Sequence, residues 1–350
     1  MYYYEPGFVH PDFRLNGFCL SPENLRKVAY DFIKEGEDYE RPIGNFLLDW
    51  FDDKDYVEMR TSGTTGAPKI IRLKKHHMVN SAVATGDFFD VGPHTRALHC
   101  LPAQYVAGKM MLVRAMILGW ELDIVPPVAE PLTKTPKNYQ FAAMVPLQAE
   151  RSFEALRRVK KVILGGGKVS PALSVRLQTL PVEIWETYAM TETVTHIAAK
   201  PLGEVAFTTL PGVSVTTDAR GCLVINAPEV SDTTVVTNDL ASLHDAHHFV
   251  WLGRFDNVIN SGGVKLYPEQ IEEKLSLFIK RRVFVCGLPD DTLGERMVLV
   301  IEGEPFELKE DCYMALDKYE KPKEVLFVPA FAETGTGKIQ RAETLKALQP

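Results

Sequence analysis

The sequence predicts an α/β protein in two parts. A large domain with a mostly parallel sheet plus a β layer takes residues 1–253, and a small α+β domain takes 254–350. Three observations predict this. Residues 96–190 alternate short apolar runs with helical patterns, which implies a mostly parallel sheet. From about 204 to 252 the pattern changes to short strands and turns, as an antiparallel layer requires. From about 257 the chain returns to mixed helix and strand, in a tail the size of a small domain. The length of 350 residues suits two domains.

Taken in order, the apolar run Ile70-Ile71-Arg72-Leu73 predicts a strand. Strands follow at 97–101, 122–125, 141–145, 162–164 and 183–187. Helices over 104–119, 146–158 and 170–180 lie between them. The stretch from Met110 to Trp120 is the most apolar, but it is too short to cross a membrane and carries Arg114. It reads as a buried helix. In the tail, Pro268-Glu269-Gln270-Ile271-Glu272-Glu273 opens a helix near 268–279, with proline in the first turn and acids following. Strands near 282–286, 297–301 and 324–328 and a helix near 309–319 complete it. The first sixty residues carry no assignment.

The formal charge of −7 argues against a general nucleic-acid surface. The start, Met1-Tyr2-Tyr3-Tyr4-Glu5-Pro6, has neither the basic head nor the apolar core of a signal segment. Cys19, Cys100, Cys222, Cys286 and Cys312 stand singly, with no CxxC pair. That fits reduced thiols in the cytoplasm, without disulfides or zinc. His244, His247 and His248 cluster ahead of the apolar Phe249-Val250-Trp251, where a hairpin turn is the better reading than a metal site.

Several segments carry candidate chemistry. Thr61-Ser62-Gly63-Thr64-Thr65-Gly66-Ala67-Pro68-Lys69 combines hydroxyls, bare backbone N–H groups and one compact positive charge, all suited to phosphate oxygens. It lacks the Gly-Lys-Ser/Thr run of a Walker A loop, and a plain surface turn fits the same composition. Tyr188-Ala189-Met190-Thr191-Glu192-Thr193 follows a predicted strand end, where parallel sheets bind ligands. Thr191 can offer a hydroxyl to phosphate, Glu192 a carboxylate to Mg²⁺, and Tyr188 a flat face to a purine. A helix start capped by Thr191 is the alternative. Gly165-Gly166-Gly167 closes the preceding strand, as backbone for a flat ring or as a tight turn. Asp239 and Arg254 could hydrogen-bond a ribose, and Arg254 with Asp256 could equally be a surface ion pair. Ser261-Gly262-Gly263 is a second close-approach turn, and Lys338 sits in the polar loop Glu333-Thr-Gly-Thr-Gly-Lys-Ile-Gln-Arg341.

In this order and spacing the loop 61–69, the motif Tyr188–Glu192, the motif Gly253–Asp256 and the motif Gly337–Arg341 resemble the acyl-adenylate-forming superfamily of acyl-CoA synthetases, luciferases and adenylation domains. The resemblance covers about 57 to 345, with Ala189 where the family motif has glycine and with a shortened leading portion. Within the superfamily it is nearest to the o-succinylbenzoate–CoA ligases of menaquinone biosynthesis. Leu101-Pro-Ala-Gln104-Tyr-Val-Ala-Gly-Lys109-Met-Met-Leu-Val-Arg114, Thr195-His196 and Asp256-Asn-Val-Ile-Asn-Ser-Gly-Gly-Val-Lys265 carry that resemblance.

The resemblance implies the adenylate-forming fold and two half-reactions with ATP, Mg²⁺ and coenzyme A. It implies that residues 61–69 hold the β/γ-phosphates, Thr191 the α-phosphate, Glu192 the Mg²⁺, and Asp239 with Arg254 the ribose. Lys338 bridges the acyl carboxylate and the α-phosphate, Asp256 is a hinge, and Ser261, Gly262 and Gly263 line the coenzyme A path. Gln104, Lys109, Arg114, Thr195 and His196 are candidate donors to the second carboxylate of the acid. The partners are then a small carboxylic acid, ATP and coenzyme A, with monomer and dimer both open. An enzyme for another aryl or acyl acid, one that loads a carrier-protein thiol, and a non-catalytic nucleotide-binding paralogue share the same motifs.

Overall fold

The computed structural model describes residues 4–60, 70–333 and 339–346. The chain opens with two short strands, β1 (Arg14–Leu15) and β2 (Phe18–Cys19), and two helices, α1 (Pro22–Lys34) and α2 (Arg41–Trp50). The side chain of Ser21 caps α1 by accepting from the N–H of Asn24. An antiparallel pair follows, β3 (Tyr56–Arg60) and β4 (Ile70–Lys74), then α3 (Lys75–Phe89). The β/α alternation comprises β5 (Arg96–His99), α4 (Val106–Leu118), β6 (Glu121–Ile124), β7 (Tyr139–Met144), α5 (Pro146–Arg151), β8 (Val159–Leu164), α6 (Pro171–Leu177) and β9 (Glu183–Ala189). Antiparallel strands continue as β10 (His196–Pro201), β11 (Phe207–Thr209), β12 (Ser214–Thr217), β13 (Cys222–Asn226), β14 (Val235–Leu243) and β15 (His248–Arg254). The tail holds β16 (Ile259–Ser261), β17 (Val264–Leu266), α7 (Pro268–Ser276), β18 (Val283–Asp290), β19 (Gly294–Glu302), β20 (Glu324–Val328) and α8 (Arg341–Lys346).

The sequence of strand pairings is β12-β13-β14-β15-β11-β10-β9-β8-β7-β5-β6-β1-β2, thirteen strands in one hydrogen-bonded sheet. From β9 to β1 the pairs are parallel. From β9 to β12 they are antiparallel. The expected β layer is therefore not a separate sheet. It continues the parallel one, because β10 folds straight back along β9. The first strands supply the far edge: β1 pairs with β6, and the N–H of Arg14 donates to the carbonyl of Trp120. Gly44 lets α2 approach α1, since a Cβ there would stand 2.5 Å from the carbonyl of Ala29.

The sheet has two apolar faces, as the period-two alternation of its strands requires. One is packed under α3 and α4 with Trp50, Trp120, Phe89 and Phe141, and the other lies around α5 and α6 with Leu156, Leu173 and Leu177. The second sheet runs β17-β16-β19-β18, with β20 parallel to β19. Two expected helices differ. The helix at 146–158 breaks at Ser152 and resumes as a single 3₁₀ turn, Ala155–Arg158. The helix at 309–319 is only the 3₁₀ turn Glu310–Tyr313. An isolated helix that short is marginal, and one turn is enough to pack Cys312 and Tyr313 on the small core.

Candidate functional site

Tyr188, Thr191 and Glu192 lie where the parallel strand β9 ends. Tyr188 and Ala189 close β9, and Thr191–Thr193 form one 3₁₀ turn instead of a helix start. Val194 then takes φ 66° and ψ −60°, while the N–H of Thr195 donates to the carbonyl of Thr193 at 2.7 Å. This is the rare γ-turn of positive φ, strained for any residue and more so for a β-branched one. It reverses the chain within two residues and starts β10 at His196, opposite Ala189. Thr193, Thr195 and His196 are buried, Thr191 is half-buried, and Glu192 is left exposed. Among the described residues Glu192 has no ion-pair partner.

Beside it stands a chain of polar contacts. The hydroxyl of Tyr188 donates to Asp239 Oδ2 at 2.7 Å. Asp239 and Arg254 face each other across β14 and β15, with Arg254 Nη1 3.5 Å from Asp239 Oδ1. Arg254 Nη2 reaches Asp256 at 3.2 Å, and Asn238 Nδ2 donates to Asp256 at 3.3 Å. The Tyr188 ring is held edge-on by Phe207 and Phe249. Burial first, and the Asp239 charge second, push its phenol well above the usual range, so it stays a donor. Tyr188, Asp239, Arg254 and Asp256 are thus brought together, with Asn238 as a member the sequence did not single out.

Gly165, Gly166 and Gly167 leave β8 alongside β9. A Cβ on Gly165 would meet Thr187 Oγ1 at 2.9 Å, and Gly166 has φ +79°. The next residue, Lys168, reaches across to α7, donating to Glu273 Oε2 at 2.7 Å and to the carbonyl of Glu269 at 3.3 Å.

Arg114 and His196 meet on the α3/α4 side of the sheet. Arg114 is 2% exposed. Its Nη2 stands 3.2 Å from His196 Nδ1, its Nε donates to Thr85 Oγ1 at 3.3 Å, and Nη1 lies 3.8 Å from Met111 Sδ. No carboxylate pairs with it among the described residues. Burial pulls its pKa down to about 9, which still leaves it charged at neutral pH. Burial, then the Arg114 charge, hold His196 neutral, so its Nδ1 accepts and Nε2–H points to Thr85 Oγ1 at 3.4 Å. An apolar cleft of about 400 Å³ opens beside His196, lined also by Ser81, Ala84, Ile197, Leu210 and Val213. Thr85 carries no sequence signal; only the packing of α3 against α4 reveals it. Gln104 and Tyr105 precede the helix and are exposed, which corrects the expected helix start. Lys109 turns away to α2, with Nζ 5.7 Å from the centre of the Phe46 ring and Asp49 opposing the lowering effect of burial on its pKa. Gln104 and Lys109 therefore do not join Arg114 and His196.

Ser261 and Val264 pair across a two-residue hairpin in which Gly262 and Gly263 both have positive φ, the geometry that asks for glycine. Thr61, Ser62, Gly63, Thr64, Thr65, Gly66, Lys69 and Lys338 lie outside the described residues. The histidine cluster is a hairpin turn: His247 Nδ1 stands by Thr209 and the carbonyl of Val213, and His248 pairs with Asp245. Among the described residues no group of histidine, cysteine and acidic side chains could hold a metal on its own, and no helix is long and apolar enough to cross a membrane. All five cysteines are free.

A family model described as AMP-binding enzyme matches residues 51–224. A 2-succinylbenzoate–CoA ligase of Staphylococcus aureus is 27% identical, over 95% of this chain and 75% of its own length. The crystal structure of an acyl-CoA synthetase (AMP-forming)/AMP-acid ligase II-like protein from Dyadobacter fermentans is 36% identical with a TM-score of 0.61, over 93% of this chain and 98% of that one. The o-succinylbenzoate coenzyme A synthetase from Bacillus subtilis, solved with ATP and magnesium ion, shares the fold at a TM-score of 0.75 and 19% identity, over 93% and 82% of the two chains.

Proposed function

The chain belongs to the AMP-binding enzyme family, and we propose that it is an ATP-dependent acid–CoA ligase acting on o-succinylbenzoate. An acid carboxylate attacks the α-phosphorus of ATP, giving acyl-AMP and pyrophosphate. The thiol of coenzyme A then attacks the acyl carbon, giving the thioester and AMP. Neither step needs a protein nucleophile, which agrees with five cysteines that all lie outside the site motifs. The protein contributes orientation and charge placement.

Residues 61–69 take the β/γ-phosphates in this reading, and Thr191 the α-phosphate. Asp239 accepts from a ribose hydroxyl, held in aim by Tyr188 and Arg254. The bare backbone of Gly165–Gly167 packs a flat base. Glu192 suits Mg²⁺, which takes oxygen ligands and few carboxylates, because its own carboxylate is exposed and has no ion-pair partner among the described residues. When bound, the ion neutralises phosphate charge. Lys338 bridges carboxylate and α-phosphate in the first step. The chain divides at the Arg254–Asn257 turn, between the two sheets, and Asp256 there acts as the hinge that withdraws Lys338 for the second step.

The observation that carries the acid is Arg114. A buried guanidinium without a carboxylate is costly, and a dianionic substrate supplies the missing partner. His196 and Thr85 fix the direction of its fork. The test is a panel of o-succinylbenzoate, benzoate, 4-phenylbutyrate and a medium-chain fatty acid, scored by AMP release with coenzyme A. o-Succinylbenzoate should win. Arg114→Met should lose ~10² or more in kcat/KM on it and far less on the monoacids, because only the diacid loses a charge partner. A panel won by benzoate or the fatty acid would move the chain to a general aryl- or acyl-CoA ligase.

A further inference from the structure

His99 is the last residue of β5, at the carboxyl end of the parallel sheet. It is 1% exposed, and neither ring nitrogen has a hydrogen-bond partner among the described residues. Its face is set by the strand. Ala97 and Leu101 pack in the apolar cluster under α4, while Leu98 and Cys100 pack in the opposite one, so His99 points to the α4 side. α4 also carries Arg114, and His196 meets Arg114 from β10 on that side. Register places His99 further. It pairs with Ile124 on β6, and the Leu98–Ala142 pair sets Ala143 beside it on β7. Ala143 pairs with Ile163, and Ile163 with Trp185. His99 thus belongs to the row of side chains directly below the row that contains Gly165 and Thr187, about 7 Å deeper along the strands.

A buried imidazole with both nitrogens unmet is unfavourable, and native proteins rarely keep one. An aliphatic side chain would suit this strand position better. A group that arrives with the substrate accounts for its presence. Burial pulls the His99 pKa down to about 4, so the ring is neutral, with one N–H to donate. Arg114, on the helix that covers this face, is its charged donor. The two differ in what they suit: a cation for the carboxylate, a neutral donor for an uncharged acceptor.

We infer that His99 is a specificity-determining residue that donates an N–H to the ketone oxygen of a 4-oxo acid substrate. This rests on the proposed o-succinylbenzoate ligase reading. It adds a requirement that Arg114 alone does not impose, namely an oxo group between the activated carboxylate and the ring.

The experiment compares o-succinylbenzoate with its deoxo analogue, 2-(3-carboxypropyl)benzoate, in wild type, His99→Leu and His99→Gln. Wild type should prefer the oxo acid by ~10-fold or more in kcat/KM, as a site built around a hydrogen bond does. His99→Leu should collapse that ratio towards one, with unchanged KM for ATP and a raised Tm, since an unmet polar group has been removed. His99→Gln keeps a donor and should retain part of the preference, which also covers the case in which the leucine variant does not fold. If wild type turns over both acids without preference, or if His99→Leu keeps the wild-type ratio, the ketone assignment is wrong while the ligase reading stands. If wild type turns over neither acid, the ligase reading fails and this inference with it.

Discussion

Val194 shows how much a single residue contributes to the site. Its φ of 66° bends the chain so that Glu192 faces out and His196 faces in, two positions away on either side. A β-branched side chain in that conformation stores ~1–3 kcal/mol. Val194 is 1% exposed, so its substitution also loses buried area. Val162 in β8, fully buried and in ordinary strand geometry, gives the control. Val194→Gly should lower Tm less than Val162→Gly, because glycine takes positive φ without penalty and recovers the strain. It should also raise KM for the acid several-fold, since the turn that aims His196 is loosened. Equal losses of Tm in the two variants would mean that the turn is unstrained.

At the scale of elements, α7 joins several parts of the chain. Its Glu269 lies against Gly253, where a Cβ would stand 2.4 Å from Oε2, and accepts from Asn257 at 2.5 Å. Its Glu272 accepts from Arg341 and from the N–H of Val285, at 2.8 Å each. Arg341 is only three residues beyond Lys338. The cluster therefore ties the turn between the sheets to the base of the lysine loop. Burial outweighs the Arg341 charge and pushes the Glu272 pKa from 4.5 up to about 7. A carboxyl group raised on folding holds its proton longer in the native state. Its contribution is complete below pH 4.5 and is lost as pH rises towards about 7. The Tm of wild type should accordingly fall between pH 5 and pH 8 relative to that of Glu272→Gln, which has no such titration. Parallel profiles for the two proteins would show that Glu272 is already ionised in the native state at pH 5.

At the scale of the whole molecule, Lys168 and Glu273 form a bridge from the glycine loop of the first sheet to α7, which packs on β18 of the second sheet. The proposed hinge must break such exposed contacts at little cost. Asp256 is one of these, paired with Arg254 and Asn238 at the surface. Proline there fixes φ near −65° and restricts its neighbour. Asp256→Pro should keep ATP–pyrophosphate exchange and lose most thioester formation. Lys338→Ala should do the reverse, cutting exchange by ~10²–10³ while preformed acyl-AMP is still converted. If both variants lose both half-reactions equally, the two-position mechanism is wrong.

Local chemistry alone determined much of this protein. The strand-helix alternation of residues 96–190 marked a parallel sheet because the period of apolar residues is set by the backbone. Boundaries of β5 to β9 moved by three residues or fewer for the same reason. The grouping of Tyr188 with Asp239 and Arg254 was legible only from the order and spacing of the motifs together, since each alone also fits a helix cap or a surface ion pair. Other features needed the folded chain. The front edge β1–β2 is two-residue strands, too short to leave a period, and exists only because β6 offers an unpaired edge. The helix expected at 309–319 was a pattern that tertiary packing satisfied with one turn. Among the acid-site candidates, sequence could not separate Arg114 from Lys109, since both are long cations on one helix. Only the placement of α4 between α2 and the sheet sends Lys109 to Phe46 and Arg114 to His196. His99 was invisible for a deeper reason: a histidine in an apolar strand looks like any core residue until its face, its register and its unmet nitrogens are known together.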